Sequence, residues 1–112
     1  MTKQSAGDQF LHMLSALANP QRLRILAALS ERQVYVSELA RLLSMSRPLL
    51  HMHLRRLESA GLIEGRHEVS ADGKALRYFK VAEFQEQLTP RRISEAVKTL
   101  TLENEPYRKE KR

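Results

Sequence analysis

One stretch of the chain, LARLLSMSRPLLHMHLRRLESAGLI from Leu39 to Ile63, constrains the fold more than any other. Ser46 followed by Pro48 predicts a helix start. A serine hydroxyl can accept a hydrogen bond from a backbone N–H of the first turn, and a proline in that turn removes no helical hydrogen bond. Gly61 predicts the end of that helix, since glycine readily adopts the left-handed conformation found after many helices. The stretch is therefore predicted to form two helices joined by a tight turn.

The second of these helices has two unlike sides. Leu50, Leu54 and Leu57 recur at helical spacing and predict the buried side. The opposite side faces solvent and carries cations and hydrogen-bonding groups: Arg47, Pro48, His51, Met52 and Arg55. A helix of this kind is what a helix-turn-helix protein places in the DNA major groove. The alternative is a solvated amphipathic helix of an ordinary bundle.

The composition excludes several classes of protein. The 112 residues are expected to form one domain, residues 8–102, followed by a flexible polar tail at 103–112. Cysteine is absent, which excludes disulfides, thiolate metal ligands and cysteine nucleophiles. No apolar run is long enough for a membrane span and no secretion signal opens the chain, so a cytoplasmic protein is expected. No catalytic motif is present, so an enzyme is not expected.

The charge is concentrated in the middle of the chain. The net charge is +6, and residues 41–80 hold eight basic and four acidic residues, a net charge of +4. A basic protein with its charge clustered in this way is typical of a polyanion-binding protein, here double-stranded DNA. The alternative is that these charges only keep the protein soluble.

The N-terminal half is predicted to be mainly helical. Asp8 is a favourable N-cap for a first helix, and Asn19 with Pro20 ends that helix and begins the second. The second helix is predicted to bury Leu23, Ile25, Leu26 and Leu29. A short β-type run follows at Val34 to Val36, and Ser37 is expected to cap the third helix.

After Gly61 the hydrophobic pattern changes from helical to alternating. Residues 63–69 and 75–81 flank an Asp72-Gly73 pair, which is a strong signal for a β-hairpin. Thr89 and Pro90 then predict a last helix that continues through Leu100. The predicted order gives a mainly α winged helix-turn-helix, with about five helices and a two-stranded wing.

The cations on these elements are predicted to have two roles. Arg47, His51, Met52 and Arg55 are candidates for contacts to bases, since arginine can bond guanine bidentately and methionine can touch a thymine methyl. A phosphate contact is an equal alternative for Arg55. The remaining candidates are expected to position the protein on phosphates: Arg41, Arg56, Arg66, Lys74 and Arg77.

Four segments resemble the ArsR-type winged helix-turn-helix transcriptional regulators: LANPQRLRIL from Leu17, VSELARLL from Val36, SRPLLHMHLRRLESAGLI from Ser46 and RYFKV from Arg77. The resemblance implies a sequence-specific regulator that binds a palindromic operator as a homodimer, with first and last helices packed across a two-fold axis. Six apolar residues of those helices are candidates for that interface, although they could instead close the core of one monomer: Phe10, Leu11, Leu14, Ile93, Val97 and Leu100.

Many members of this family sense soft metals through a cysteine pair in the third helix, which this chain lacks. His51 and His53 face opposite sides of their helix and cannot share a metal within one chain, and His53 is predicted to be a hydrogen-bonded, partly buried histidine. Weak candidate ligands for nickel or zinc remain, each more simply read as a solvated side chain: His12, His67, Glu64, Asp8 and Glu68. A metal-responsive regulator and a winged-helix protein-interaction subunit are therefore kept as alternatives.

Overall fold

A computed structural model describes residues 4–101. Within these residues the chain forms five helices and three strands, in the order α1 Ala6–Leu17, α2 Pro20–Glu31, β1 Val34–Tyr35, α3 Val36–Leu43, α4 Arg47–Ser59, β2 Ile63–Val69, β3 Ala75–Val81 and α5 Pro90–Val97. The predicted winged helix-turn-helix fold is confirmed. The predicted tail at 103–112 and the domain end at residue 102 lie outside the described residues.

The chain divides into two compact units. The larger unit is His12–Glu86, and the smaller one is formed by the described residues up to Leu11 and from Gln87 onward. In the larger unit one apolar core collects side chains from every element, among them Ile25 of α2, Leu39 of α3 and Phe79 of β3.

The buried side of α4 is the one that the sequence predicts. Leu50, Leu54 and Leu57 are each 1% exposed or less. The prediction that Leu23 joins the core is wrong, because its side chain is 52% exposed. Two residues along a helix correspond to a rotation of about 200°, so Leu23 faces away from the buried Ile25.

Four of the predicted helix ends are confirmed. One is the start of α5 at Pro90, where the Thr89 hydroxyl accepts the backbone N–H of Arg92 at 3.0 Å. The Ser46 hydroxyl accepts a hydrogen bond from the backbone N–H of Leu49 at 3.3 Å, and Pro48 lies in the first turn of α4. The Asn19 side chain caps α2 by accepting two backbone N–H groups, at 2.9 and 3.1 Å. Gly61 follows α4 with φ 78°, the left-handed conformation that a glycine adopts without strain.

The predicted caps of α1 and α3 are wrong. Helix α1 begins at Ala6, so Asp8 lies inside its first turn, and the Ser5 hydroxyl accepts the N–H of Asp8 at 3.1 Å. Helix α3 begins at Val36, with Tyr35 as an N-cap that makes no side-chain hydrogen bond. Both Val34 and Val36 are buried, so tertiary packing sets the start of α3 ahead of Ser37.

The hairpin belongs to a three-stranded antiparallel sheet in the order β1-β3-β2. The prediction of a two-stranded wing omitted β1, which pairs Val34 with Phe79. The Tyr35 ring packs edge-on against Tyr78 at 5.4 Å between ring centroids, and its hydroxyl donates to the Glu68 carboxylate at 2.8 Å. The hairpin is therefore tied to β1 both in the middle of β3 and, through Glu68, near the end of β2.

The smaller unit brings the start of α1 against α5. A Cβ on Gly7 would lie 2.1 Å from the Ala96 carbonyl oxygen, so only glycine permits this approach. The Thr99 hydroxyl accepts the N–H of Gly7 at 2.7 Å, and the buried Asp8 carboxylate accepts the N–H of Thr101 at 2.8 Å. Helix α5 ends at Val97, earlier than predicted.

No helix among the described residues is long and apolar enough to cross a membrane.

Candidate nucleic-acid interface

The outer side of α4 consists of the five residues that the sequence placed there: Arg47, Pro48, His51, Met52 and Arg55. Arg47, Pro48 and Arg55 are exposed, His51 is half-buried, and the Met52 side chain is 50% exposed. Because the leucines behind them are fully buried, rotation of the helix cannot exchange the two sides without breaking the core. The outer side is thus a fixed surface with two guanidinium groups, an imidazole and an apolar thioether.

The phosphate-contact candidates divide into two groups. Arg41, Arg66 and Lys74 are exposed, on α3, on β2 and in the turn after β2. Arg56 and Arg77 are half-buried and bound to the protein itself: Arg56 donates to the Ser15 hydroxyl, and an Arg77 nitrogen lies 3.4 Å from the Glu58 carboxylate.

Arg77 links the hairpin to α4. Its guanidinium lies 4.7 Å above the Phe79 ring, an arrangement in which the cation meets the electron-rich face. A Cβ on Gly65 would lie 2.8 Å from the Phe79 ring and 3.2 Å from Arg77, so this glycine makes room for the stack. Arg77 is therefore held within the protein by Glu58 and Phe79, although its buried Nε has no hydrogen-bond partner among the described residues.

The turn between β2 and β3 presents Lys74 at the end of the hairpin. The Asp72 carboxylate accepts a hydrogen bond from the Ser70 hydroxyl and one from the Lys74 N–H at 3.4 Å. These hydrogen bonds, that from Ser70 first, lower the pKa of the Asp72 carboxyl below its ordinary value. Gly73 at φ 86° completes the turn. We name β2, β3 and this turn the wing.

His53 differs from the prediction in one respect. It is buried, with 6% of its surface exposed, but its Nδ1 has no hydrogen-bond partner among the described residues. Burial, and secondarily the charge of Arg22, lowers the pKa of the imidazole, because both disfavour the protonated form. His53 is thus a buried histidine whose neutral form is favoured and whose Nδ1 has an unmet hydrogen bond.

The weak metal-ligand candidates are not brought together. Among residues 4–101, no group of three or more histidine, cysteine, aspartate or glutamate side chains could hold a metal ion. His12 Nε2 lies 3.4 Å from the Ser59 hydroxyl, Glu64 lies 4.0 Å from the Lys80 ammonium, and His67 is exposed on β2.

Four of the six dimer-interface candidates expose apolar surface in the single chain: Leu11, Ile93, Val97 and Leu100, at 39%, 50%, 58% and 38%. Leu14 is half-buried. Phe10 is buried under the Arg92 guanidinium, 4.1 Å from its ring, so its contacts lie within the protomer. The sequence reasoning did not single out Phe84 and Leu88, which are 43% and 62% exposed, because they lie in a segment without a periodic pattern.

Arg22 is a further residue that the sequence analysis did not identify. It lies on α2 but lines a cleft with His53 and Arg56 of α4. No spacing in the sequence connects these residues, because only the packing of α2 against α4 brings them together. The pair Arg22 and Arg56 therefore had no signal in the sequence.

A helix-turn-helix whose second helix leads directly into a sheet-anchored hairpin is the winged class of DNA-binding domain. The comparisons with known proteins agree. Residues 19–64 match the model of the arsR family of bacterial regulatory proteins. An uncharacterised HTH-type transcriptional regulator of Methanocaldococcus jannaschii is 41% identical over 73 residues, which are 65% of this chain and 76% of that protein. The chain belongs to the ArsR family.

Solved structures show the same likeness. The homodimeric winged helix-turn-helix DNA-binding domain of a possible ArsR-family regulator from Mycobacterium bovis is 31% identical, with a TM-score of 0.62 over 74% of this chain and 77% of that one. NolR from Sinorhizobium fredii is 28% identical, with a TM-score of 0.59 over 74% and 83%. The family and fold are those of DNA-binding transcriptional regulators, not of enzymes.

Proposed function

We propose that this ArsR-family regulator reads a palindromic operator as a homodimer, with the outer side of α4 of each protomer in a major groove. The observation that carries the proposal is the fixed outer side itself, where Arg47 and Arg55 are exposed in front of fully buried leucines. A two-fold dimer would present two such helices about one helical turn of DNA apart. Since its target is DNA, the protein is proposed to act in the cytoplasm.

The dimer is proposed to form through α1 and α5. Leu11, Ile93 and Val97 leave large apolar side chains exposed in the single chain, which a second copy would cover. The neighbour from Mycobacterium bovis is described as homodimeric, which supports the same assembly here. Residues 8–102 are then proposed to act as one DNA-binding and dimerisation domain.

The contacts to DNA are proposed to divide by position. Arg47, His51, Met52 and Arg55 would face base edges, with Pro48 in the groove beside them. Arg41, Arg66 and Lys74 are exposed and would reach phosphates. Arg77, which is bound within the protein, is proposed to act mainly by holding α4 and the wing together. Arg56 donates to the Ser15 hydroxyl through one nitrogen and is still proposed to reach a phosphate.

The test is selection of bound duplexes from a random pool, followed by fluorescence anisotropy with the selected and with random DNA. We expect an inverted repeat whose half-sites are centred about 10 base pairs apart, bound at least about a thousandfold more tightly than random DNA at physiological salt. Enrichment of a single half-site would reject the dimer geometry. Equal affinity for all duplexes would reject operator recognition and favour an assembly subunit that binds other proteins.

Metal sensing is tested separately by calorimetric titration of nickel and zinc into the protein. No saturable binding, or binding that leaves the affinity for DNA unchanged, would rule out a metal-sensing role.

A further inference from the structure

An open cleft of about 780 Å³ lies between the start of α2 and the C-terminal half of α4. Its polar and basic lining includes Asn19, Arg22, His53, Arg55, Arg56 and Ser59. All belong to the larger unit of the chain. The cleft is distinct from the outer side of α4, although Arg55 and Met52 border both.

The charge of this cleft is strongly positive. Three guanidinium groups line it, and the carboxylate that also lines it, Glu58, is already engaged by Arg77 at 3.4 Å. Arg22 has a direct electrostatic effect on His53, since its charge helps to lower the pKa of that imidazole. His12 faces the same region through its 3.4 Å contact with the Ser59 hydroxyl.

Three side chains that line the cleft each have a buried nitrogen without a hydrogen-bond partner among residues 4–101: Arg22 Nε, Arg56 Nε and His53 Nδ1. A fourth such atom, Arg77 Nε, lies outside the cleft. Such atoms are rare in folded proteins, because a buried polar group without a partner loses its hydration and gains nothing. The two arginine atoms are donors, and His53 Nδ1 donates in one neutral tautomer of the imidazole and in the imidazolium. Three side chains with unmet bonding capacity around one cleft indicate an absent acceptor.

We propose that this cleft is an oxyanion site, which takes a phosphate group between Arg22 and Arg56. A guanidinium presents donors in a planar fork that matches two oxygens of a phosphate, so this pair of side chains suits that ligand. Ser59 and the side chain of Asn19 add polar groups at the rim. The phosphate belongs either to a small phosphorylated molecule or to the DNA backbone, and the second source rests on the function proposed above.

The first experiment is calorimetric titration of inorganic phosphate into the full-length protein at constant chloride concentration. We expect saturable binding that Arg22→Gln weakens at least tenfold. The matched control is Arg24→Gln, which removes the same charge from an exposed position on the same helix, where the guanidinium donates to the Gln21 side chain at 2.8 Å. Arg22→Lys keeps the charge but loses the fork, and we expect intermediate affinity.

A second measurement follows the His53 ring by NMR in sulfate, an oxyanion that does not titrate between about pH 5 and 8. A bound anion favours the imidazolium, so the pKa of His53 is expected to rise with sulfate in the wild type and in Arg24→Gln but not in Arg22→Gln. This readout does not respond to a merely structural role of Arg22. Circular dichroism of each variant confirms that it is folded.

The salt dependence of DNA binding distinguishes the two sources. If the cleft takes a backbone phosphate, Arg22→Gln lowers the slope of log affinity against log salt by about one, and Arg24→Gln does not. If it takes a free phosphorylated molecule, phosphate binds without DNA and that slope is unchanged by Arg22→Gln. The proposal is wrong if free phosphate does not bind and both variants have equal slopes. Operator recognition by the wild type would still stand in that case.

Discussion

The outer side of α4 and the wing are both basic, but they hold their arginines differently. On α4, Arg47 and Arg55 are exposed in front of a rigid apolar side. On the wing, Arg66 is exposed, but Arg77 is half-buried, stacks on Phe79 and lies 3.4 Å from the Glu58 carboxylate. Arginine thus serves as a candidate DNA contact on α4, and at Arg77 as a link between α4 and the wing.

The comparison shows that net charge alone does not identify a DNA contact. An exposed guanidinium keeps its donors hydrated and can exchange that water for a base or a phosphate. Arg77 would first have to leave its carboxylate and its aromatic ring. The partners of a cation, rather than its position in a basic segment, therefore predict its role.

The largest effect is expected from the side of α4 that faces the core. Leu54→Ala leaves a cavity behind the recognition helix and should lower the free energy of unfolding by about 2–5 kcal/mol, measured by urea denaturation. Met52→Ala on the exposed side is the control, with an expected change within about 0.5 kcal/mol. Equal effects of the two substitutions would mean that the sides of α4 are assigned wrongly.

The next largest effect is expected on DNA affinity, where a substitution on the outer side of α4 is compared with one on the wing. Arg47→Ala should weaken binding to the selected operator by about 1–3 kcal/mol and binding to random DNA much less, since a base contact is lost. Lys74→Ala should weaken both about equally and reduce the salt slope by about one. Anisotropy titrations at several salt concentrations measure both quantities. The reverse pattern would place base recognition on the wing.

The two regions also differ in how far the sequence predicts them. On α4 the cap at Ser46, the left-handed Gly61 and the buried leucines are all local signals, and each is confirmed. On the wing the sequence predicts the two strands and their turn, but neither the pairing of the short run at Val34 with β3 nor the contact of Arg77 with Glu58. Those features join residues far apart in the chain, which no periodic pattern encodes.

The lowered pKa of His53 on α4 predicts how folding stability changes at acidic pH. The pKa is lowered in the folded state, so below the ordinary histidine value of about 6.5 the unfolded chain binds a proton that the folded chain excludes. The contribution of His53 to folding stability should therefore be constant above that pH and be lost progressively as the pH falls below about 6.5 toward the lower pKa of the folded state. Urea midpoints across this range measure the loss, and His53→Gln should reduce it. An unchanged pH dependence in His53→Gln would assign the loss to other groups.

The smallest effect is expected where the two regions meet. Glu58→Gln removes the carboxylate that holds Arg77, but both side chains are more than a third exposed, so the free energy of unfolding should change by less than about 1 kcal/mol. With its partner gone, Arg77 becomes available to phosphates, and binding to operator and random DNA should strengthen slightly and equally, with a steeper salt slope. Glu64→Gln is the control, because it removes the same charge without releasing Arg77. The Glu64 carboxylate lies 4.0 Å from Lys80 on the neighbouring strand. A selective loss of operator affinity in Glu58→Gln would instead mean that the pair sets the angle between α4 and the wing, because only a displaced recognition helix weakens base contacts while leaving phosphate contacts in place.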